Sequence, residues 1–471
     1  MNSRRITTLF FVILFVAGVA IVPAPVLHAS GAELLRLVDA VHEAIVRSTA
    51  TADAADAVAL AESALRVSRS TVSPQFTLDA LGAFGQSNLA NQNYGARFSQ
   101  QFLSGTQVRA DIGATSSQNQ LGTYFASNTV FSVTQPMLRG FGGAAVRRDL
   151  TLVSLRAEEA RRDQTRVAQQ VALSMASAYY GVVTQTRMVE VSDQAFARAK
   201  TLLEAAEAKL ALGKVSKLDV LRARQFAMQA ELQALDARTA VENAKDQVRL
   251  LLLRDAAFDF VVEPEVRAVR MDVTLDEALT AAANHRIELT AATASVREAS
   301  MQLSAAEDRG RPQVDVTLQM TRNAVASSLG SAFGRDAFRL ATFAGVSMPL
   351  DRTPADVARQ TAALQVARAT RHLEQARLQI AQEVRAAHRE SVRLVRTLEQ
   401  ADIAIGFAQQ EVELADLRYQ RGLSNNLDLV TAEAGLLNAR ALRLGAQAGA
   451  AVAHWRLRAA TGLLDPSKDF R

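Results

Sequence analysis

The sequence predicts a mainly α-helical protein with a smaller β part, built from two tandem repeats. A turn segment at residues 209–221 recurs at residues 418–430, so that Gly213, Leu218 and Asp219 are each matched 209 positions later. A single offset of that length indicates duplication of half the chain. Hydrophobic residues make up 49% of the sequence but aromatic residues only 5%, which favours closely packed helices rich in alanine.

Residues 1–29 have the features of a secretory signal peptide. Arg4 and Arg5 precede an apolar run at residues 9–22, and small residues provide a cleavage site that ends at Ala29. The run is shorter than the roughly 20 residues that a membrane-spanning helix needs, which argues against an uncleaved anchor. We therefore expect an exported protein.

Charge and residue usage exclude several function classes. The formal net charge is +5, and basic and acidic residues are interspersed along the helical segments, so we expect no nucleic-acid partner. The chain has no cysteine, and none of its six histidines is spaced as a metal ligand pair. No catalytic motif is found. We expect no enzyme, no catalytic residue, no cofactor and no metal site.

The first repeat is predicted at residues 30–254. It contains a helix, two strands separated by an extra β-hairpin, and a long helical hairpin, because the hydrophobic period changes from helical to alternating and back. The predicted bounds are 34–70 for the helix, about 74–84 and 127–135 for the barrel strands, 94–114 for the extra hairpin turning at Ser104 and Gly105, and 213–216 for the tip of the helical hairpin.

The long helix has a contact surface without charge. Alternate steps of four and three residues from Val146 to Ala206 meet no charged side chain. A mean period of about 3.5 residues is typical of coiled-coil contacts, so we expect neighbouring helices to pack along this seam. The returning helix, up to about residue 253, is expected to pack through Leu218, Leu221, Met228, Leu232 and Leu235.

The second repeat is predicted at residues 274–464 and has the same order of elements without the extra hairpin. Its long helix has a similar seam from Ala363 to Ala415, in which Arg377 is the one charged residue. The other predicted bounds are 255–273 for a linker before the repeat, about 313–321 and 338–347 for the barrel strands, 422–425 for the hairpin tip and 465–471 for a short polar tail.

Both hairpin tips have the residues of a tight helical turn. The matched residues are Gly213 and Gly422, Ser216 and Asn425, and Asp219 and Asp428. The glycines can take the left-handed conformation that ends a helix. The serine and asparagine can cap the next helix, and the aspartates follow at the spacing of a capping box. This structural role of the aspartates does not exclude a second one.

This organisation resembles the outer-membrane efflux protein family of the TolC type over nearly the whole mature chain. The features that carry the resemblance are the duplicated order of elements, the paired glycine turns, Gln135-Pro136 with Leu138-Arg139-Gly140-Phe141-Gly142 before the first long helix, and Met348-Pro349-Leu350 before the second. The resemblance implies a mainly α fold with a β-barrel part. Antiparallel helical hairpins would form a trimeric α-barrel, and strands from three chains would share a transmembrane β-barrel.

The resemblance also implies a function, partners and a location. The chain is expected to be a passive channel of a tripartite efflux or type I secretion system, in the outer membrane and extending into the periplasm. Its partners would be two further copies of itself, a periplasmic adaptor (membrane-fusion) protein, an inner-membrane pump and outer-membrane lipid. The adaptor and pump would open the channel.

Site residues follow from the resemblance at the tips, where the family's tunnel narrows. Asp428 matches an aspartate that faces the axis, and three copies would form a carboxylate ring that attracts cations. Thr431 stands where a second ring aspartate can occur, which predicts a weaker ring. Tyr419 and Asp219 match residues that tie neighbouring hairpins shut, and Ser424 replaces an arginine that assists them. The turns at which the adaptor would dock contain Gly213, Ser216, Gly422 and Asn425.

Two alternatives stay open, and the cargo and pump class are not specified. The extra hairpin at residues 94–114 has no counterpart in the second half, so either each chain contributes more than four strands or the hairpin lies outside the barrel wall. A periplasmic structural or adaptor coiled-coil protein without channel activity would also explain the helical hairpins. It would not explain the alternating strands in both halves.

Overall fold

The computed structural model describes residues 33–82, 92–119, 122–263, 273–334 and 337–470. The predicted signal peptide and residues 264–272 of the predicted linker lie outside this part of the chain. Within it, long helices dominate and the strands form a six-stranded and a two-stranded sheet.

The first repeat begins with a short strand and ends with another. Its elements are β1 (Glu33–Leu35), α1 (Leu37–Arg47), α2 (Thr49–Ser70), β2 (Gln75–Gly82), β3 (Gln92–Gln101), β4 (Gln107–Asn119), β5 (Gly122–Pro136), α3 (Ala144–Ala211), α4 (Lys217–Leu251) and β6 (Phe260–Val262). A short 3-10 turn, Phe141–Gly143, precedes α3.

The second repeat follows the first with two offsets. Its elements are α5 (Leu275–His285), α6 (Ile287–Arg309), β7 (Gln313–Ala326), α7 (Leu329–Ala332), β8 (Arg339–Ser347), α8 (Thr353–Gln420), α9 (Asn426–Ala460) and α10 (Pro466–Asp469). Helices α8 and α9 begin 209 positions after α3 and α4 and match them in length, at 68 and 35 residues. By contrast, α5, α6 and β7 begin 238 positions after α1, α2 and β2. The first repeat therefore holds about 29 extra residues, which form the hairpin of β3 and β4.

Each of the two predicted shorter helices is broken. The predicted helix at residues 34–70 is divided at Ser48, and its counterpart in the second repeat is divided at Arg286, because neither residue has a helical ψ (128° and 121°). The second break turns Arg286 towards the end of α9, where its guanidinium donates to the carbonyl oxygens of Ala459 (3.5 Å) and Ala460 (3.3 Å). A cation at this position also meets the negative end of the helix dipole.

The described part of the predicted linker and the predicted tail both contribute residues to the core. Strand β6 pairs in parallel with β1, and Phe260 is fully buried. The Tyr179 hydroxyl joins the two strands because it donates to the Leu35 carbonyl oxygen (3.2 Å) and accepts from the Glu263 amide (3.2 Å). At the other end of the chain, Phe470 is buried against Trp455, with 4.4 Å between ring centroids. One aromatic residue therefore docks the short polar tail against α9.

The large sheet is antiparallel throughout, in the order β2-β3-β4-β5-β7-β8. The extra hairpin is part of this sheet, with Gly105 (φ +89°) in its turn. Strands β5 and β7 are longer than predicted because their pairing continues to Phe125 and Ala326. Serine, asparagine and alanine at their outer ends gave no alternating signal. Phe84, in the first predicted strand, lies outside the described residues.

The returning helix α4 packs through a different face from the one predicted. Its large apolar residues Leu218, Leu221, Met228, Leu232 and Leu235 are each at least 54% exposed in the single chain. The buried residues are smaller and follow a heptad spacing: Val220, Ala223, Ala227, Ala230, Ala234 and Ala237. Alanine allows α4 to approach α3 closely, where Ala195, Ala199, Leu202 and Ala206 of the predicted seam are buried.

Helices α4 and α9 end in the same way but with different residues. Each is closed by a left-handed residue, Leu253 (φ +50°) after α4 and Gly462 (φ +74°) after α9. In both, the next amide donates to the carbonyl five residues before it, from Arg254 to Arg249 and from Leu463 to Arg458 (2.9 Å each). Leu253 is the one non-glycine residue with positive φ in the described chain.

We predict that Leu253→Gly stabilises the protein. A side chain in the left-handed region costs about 1–2 kcal/mol, and the added backbone freedom of glycine in the unfolded chain offsets part of the gain. We expect the free energy of unfolding to rise by about 0.5–1 kcal/mol, measured from thermal unfolding followed by circular dichroism.

Leu250→Gly is the matched control, because Leu250 is exposed in the last turn of α4 and has ordinary helical φ. The same substitution should destabilise there, by up to about 1 kcal/mol. Equal destabilisation by both variants would contradict the strain assigned to Leu253.

Candidate functional site at the hairpin tips

The two helical hairpins turn at glycines in the predicted conformation. Gly213 has φ +66° and Gly422 has φ +73°. After each glycine the next amide, of Lys214 or Leu423, donates to a carbonyl of the last helical turn (2.9 Å each). These bonds satisfy carbonyl groups at the helix end, so each hairpin reverses direction within five residues.

The caps that follow differ between the two tips. Ser216 and Asp219 form a full capping box, in which the Asp219 carboxylate accepts from the Ser216 amide (3.1 Å) and hydroxyl (2.7 Å). At the second tip Asn425 accepts from the Leu427 amide (3.0 Å), one residue earlier than a capping box requires. The predicted second capping box is therefore wrong.

The different caps leave the two matched aspartates in different states. Asp219 is held by its own helix and its side chain is 15% exposed. Asp428 is exposed and makes no hydrogen bond or ion pair with any residue that the structure describes. Its carboxylate is therefore available to solvent and ions. Beside it, one turn further along α9, Thr431 presents a hydroxyl that donates to the Leu427 carbonyl (2.9 Å).

Two polar contacts that the sequence did not indicate hold the tips together. The fully buried Asn426 amide donates to the Asp219 carbonyl oxygen (2.5 Å). The Lys209 ammonium donates to the Tyr419 carbonyl oxygen (3.2 Å) and lies 3.7 Å from the centre of the Tyr419 ring. Asn426 matches Lys217 of the first repeat. Comparing the repeats therefore shows that the residues at this position differ, but it does not show that Asn426 bonds Asp219.

Tyr419 is buried at 5% exposure, and its hydroxyl has no hydrogen-bond partner among the described residues. Burial, and then the nearby Asp219 carboxylate, raise the pKa of Tyr419. Because that carboxylate is bonded within its own capping box, the single chain contains no direct Tyr419–Asp219 hydrogen bond. The Ser424 hydroxyl is also buried without a partner among these residues. Tyr419 and Asp219 are thus neighbours, and their role as a tie stays a prediction.

Above the tips the two hairpins enclose a groove of about 610 Å³. Arg198 on α3 and Glu433 on α9 form an ion pair across it (2.8 Å), and Glu433 is 8% exposed. Two turns further up α9, Arg440 donates to Gln194 (3.1 Å). The contacts between the hairpins near the tips therefore include several polar pairs.

Two other kinds of feature, a metal site and a membrane-spanning helix, are absent from the described residues. No group of three or more histidine, aspartate or glutamate side chains is arranged to hold a metal ion within the described ranges. No described helix combines the length and the apolar composition needed to cross a membrane. The features that stand out are therefore the tips and the sheet.

Comparison with known proteins gives a family match over part of the chain. Residues 278–463 match the family model described as outer membrane efflux protein. The predicted family resemblance is confirmed. The comparison with curated proteins gave no match.

Solved structures of an outer-membrane protein and of two membrane channels share the fold. CusC is 15% identical with a TM-score of 0.70, covering 93% of this chain and 95% of its own. VceC of Vibrio cholerae is 18% identical with a TM-score of 0.71, covering 90% and 96%. CmeC of Campylobacter jejuni is 14% identical with a TM-score of 0.69, covering 92% and 87%. The predicted fold class, mainly helical with a β part, is confirmed, and the chain shares this fold with these proteins.

We predict that Asn426→Ala weakens the contact between the two hairpin tips. The substitution leaves the Asp219 carbonyl oxygen without its buried donor, which costs about 1–3 kcal/mol. Amide hydrogen exchange at residues 213–220 should become about tenfold faster or more.

Lys217→Ala is the control, because Lys217 is the exposed residue at the matched position of the first repeat. It should leave exchange unchanged. Protection that is the same in both variants would show that Asn426 does not hold this contact.

Proposed function

We propose that three copies of this chain form the outer-membrane channel of a tripartite efflux or type I secretion system. The channel is a passive conduit from the periplasm to the exterior, opened by a periplasmic adaptor and an inner-membrane pump. The chain is exported by its signal peptide, its sheet lies against outer-membrane lipid, and its helices extend into the periplasm. We expect no catalytic activity.

The main support for this proposal is a helix–helix contact. The duplication predicts it, but it is not made within one chain. Helix α3 packs against α9 within the chain, through pairs such as Arg198 with Glu433. The repeat-related helices are α8 and α4, and in the described chain these two are not packed along their length. A second copy supplies the missing partner, since α8 of one chain can then pack against α4 of the next. The same step continues around a ring.

The two helices expose the surfaces that such a contact needs. Near the tip, α8 carries apolar residues at heptad spacing that are each at least 42% exposed: Ile403, Phe407, Leu414 and Leu417. On α4 the matching surface is the exposed row from Leu218 to Leu235. Unpartnered apolar rows of this kind, on helices that already have one packed face, favour burial against another subunit. The family resemblance favours three subunits.

We predict a crosslink between copies at the repeat-related position. Phe407 and Arg224 lie 209 positions from Arg198 and Glu433. In the cysteine-free background, a Phe407→Cys, Arg224→Cys variant treated with a short bis-maleimide should give dimers and trimers on denaturing gels.

The control pairs Phe407→Cys with Arg238→Cys, which lies four turns further along α4 and is exposed. It should give little product. A ladder that does not end at trimers, or monomers alone, would contradict the assembly.

At the tips the free carboxylate of Asp428 is the proposed selectivity element. Three copies on one axis converge like charges, which attract cations and repel anions. Thr431 adds no charge beside it. Tyr419 and Asp219, with Lys209 and Asn426, hold the hairpins of each chain in the closed arrangement. Adaptor docking at the turns of Gly213, Ser216, Gly422 and Asn425 would separate them.

We predict a small, cation-selective conductance in planar bilayers that loses selectivity in Asp428→Ala. Asp219→Ala removes the same charge from the matched position and is the control. It should lower stability by about 1 kcal/mol through the lost capping box and enlarge the conductance, because Asp219 helps to hold the closed arrangement, while the pore stays cation-selective.

Equal loss of selectivity in both variants would remove Asp428 from the constriction. Folded trimers without conductance would favour the alternative, a periplasmic structural or adaptor coiled-coil protein. The six-stranded sheet argues against that alternative, because large apolar side chains such as Phe76, Leu78 and Leu340 are exposed on it.

A further inference from the structure

The extra hairpin of β3 and β4 repeats the apolar and polar faces of the other strands. Residues directly opposite in an antiparallel pair point to the same face of the sheet. One such row crosses all six strands: Phe76, Phe98, Ala110, Phe131, Met320 and Leu340. Every member is apolar, and two of the six belong to the hairpin. Phe76 and Phe98 also touch, with 5.0 Å between ring centroids.

The opposite face of the same strands is polar. The neighbouring row is Gln75, Ser99, Arg109, Ser132, Gln319 and Ala341. The polar row on the other side of the apolar row contains Arg97 and Asp111, which form an ion pair between β3 and β4 (2.6 Å). All charged residues of the six described strands lie on this face except Arg322. The hairpin therefore has one face suited to lipid and one suited to water, in register with the rest of the sheet.

Arg322 marks the outer limit of the apolar face. Its guanidinium lies 5.3 Å from the Phe338 ring centre and donates to the Gly334 carbonyl oxygen (3.1 Å). Along β7, the apolar positions from Val314 to Met320 span six residues, or about 20 Å at 3.3 Å per residue. With the tilt of about 35–45° that strands have in outer-membrane barrels, this row would cover about 15 Å of the roughly 25 Å apolar band. Strands β3 and β4, of 10 and 13 residues, are long enough to cross such a band.

The turn of the hairpin is fixed to the start of α3. Gly143 (φ +68°) touches the turn so closely that a Cβ atom would lie 1.8 Å from the Leu103 carbonyl oxygen. Gly105 in turn faces Gly140 and Pro136, with a Cβ position 3.0 Å from the Gly140 carbonyl oxygen. The turn of the hairpin thus packs against the glycine-rich bend before α3. The bend before α8, where no hairpin is inserted, has no glycine.

We propose that this hairpin is part of the membrane wall, so that each chain supplies six strands and three chains close a barrel of eighteen. The proposal rests on the trimeric channel proposed above. It answers the question that the sequence left open, since a hairpin outside the wall would not need a lipid-facing row.

Closure between copies follows from strand direction. Strand β2 leaves the helical part of the chain and β8 returns to it, so β8 of one copy meets β2 of the next antiparallel. Both are edge strands in the single chain, and unpaired backbone groups facing lipid are costly. An even number of strands in each chain allows this pairing all round. Barrels of 16–18 strands enclose an aqueous channel, so the exit would be wide and the tips would remain the narrow point.

Spin labels on the hairpin test this inference. Single cysteines replace Phe98 and Ala110 on the apolar face and Ser99 and Arg109 on the polar face, in trimers reconstituted into lipid nanodiscs. Labels at Phe98→Cys and Ala110→Cys should be several-fold more accessible to oxygen than to a water-soluble nickel chelate. Labels at Ser99→Cys and Arg109→Cys should show the reverse. Four water-accessible sites would overturn the proposal.

Met320→Cys and Gln319→Cys on β7 are the matched controls, because β7 belongs to the wall under either arrangement of the hairpin. If the β7 pair does not alternate, the membrane barrel itself, and with it the proposed function, is wrong. If the β7 pair alternates and the hairpin does not, only the hairpin lies outside the wall. Electron cryomicroscopy of the same trimers gives a second readout, since eighteen strands support the proposal and twelve overturn it.

Discussion

Close packing through alanine is the interaction on which the rest of this structure depends. The four long helices bury mainly alanine where they meet, as at Ala199, Ala223 and Ala408. Small side chains allow the helix axes to approach closely, and each contact gains dispersion energy over a long interface. They also leave the larger apolar side chains on other faces of the same helices. A single chain therefore satisfies one seam of each hairpin and presents a second one, and this second seam is what makes a ring of copies favourable.

The sequence predicts the type and order of the elements well, and the contacts between distant segments poorly. The duplication, the glycine turns and the strand alternation are local patterns, and the structure contains each of them. The break at Arg286 is not a local feature, because the extended residue there is favoured by contacts with the end of a distant helix. The same holds for β6, whose partner strand lies more than 200 residues away, and for Phe470, whose burial depends on Trp455. On α4, residue size predicts the wrong face. Leucine usually marks the buried face of a helix better than alanine does, but here the alanines are buried and the leucines are exposed.

The candidate site shows how a one-residue difference separates matched positions. Asp219 and Asp428 each stand three residues after a residue that can cap a helix, and a capping box is the ordinary prediction for both. Serine at the first cap bonds the third helical amide and draws Asp219 back to its own backbone. Asparagine at the second cap bonds the second amide, and Asp428 stays free. Sequence reasoning finds both aspartates, but only the geometry of the caps shows which one has a carboxylate to offer to an ion.

The two offsets between the repeats have a physical explanation in the same terms. The helical hairpins keep one spacing of 209 residues because their seams must match along 68 residues, and an insertion would move every later alanine off the contact face. A sheet is less constrained. Two added antiparallel strands preserve the up-and-down order, the alternation of faces and the direction of both edges, and they require only a place for their turn. The glycine bend at residues 140–143 supplies that place. The wall can therefore gain strands where the helical ring cannot gain residues.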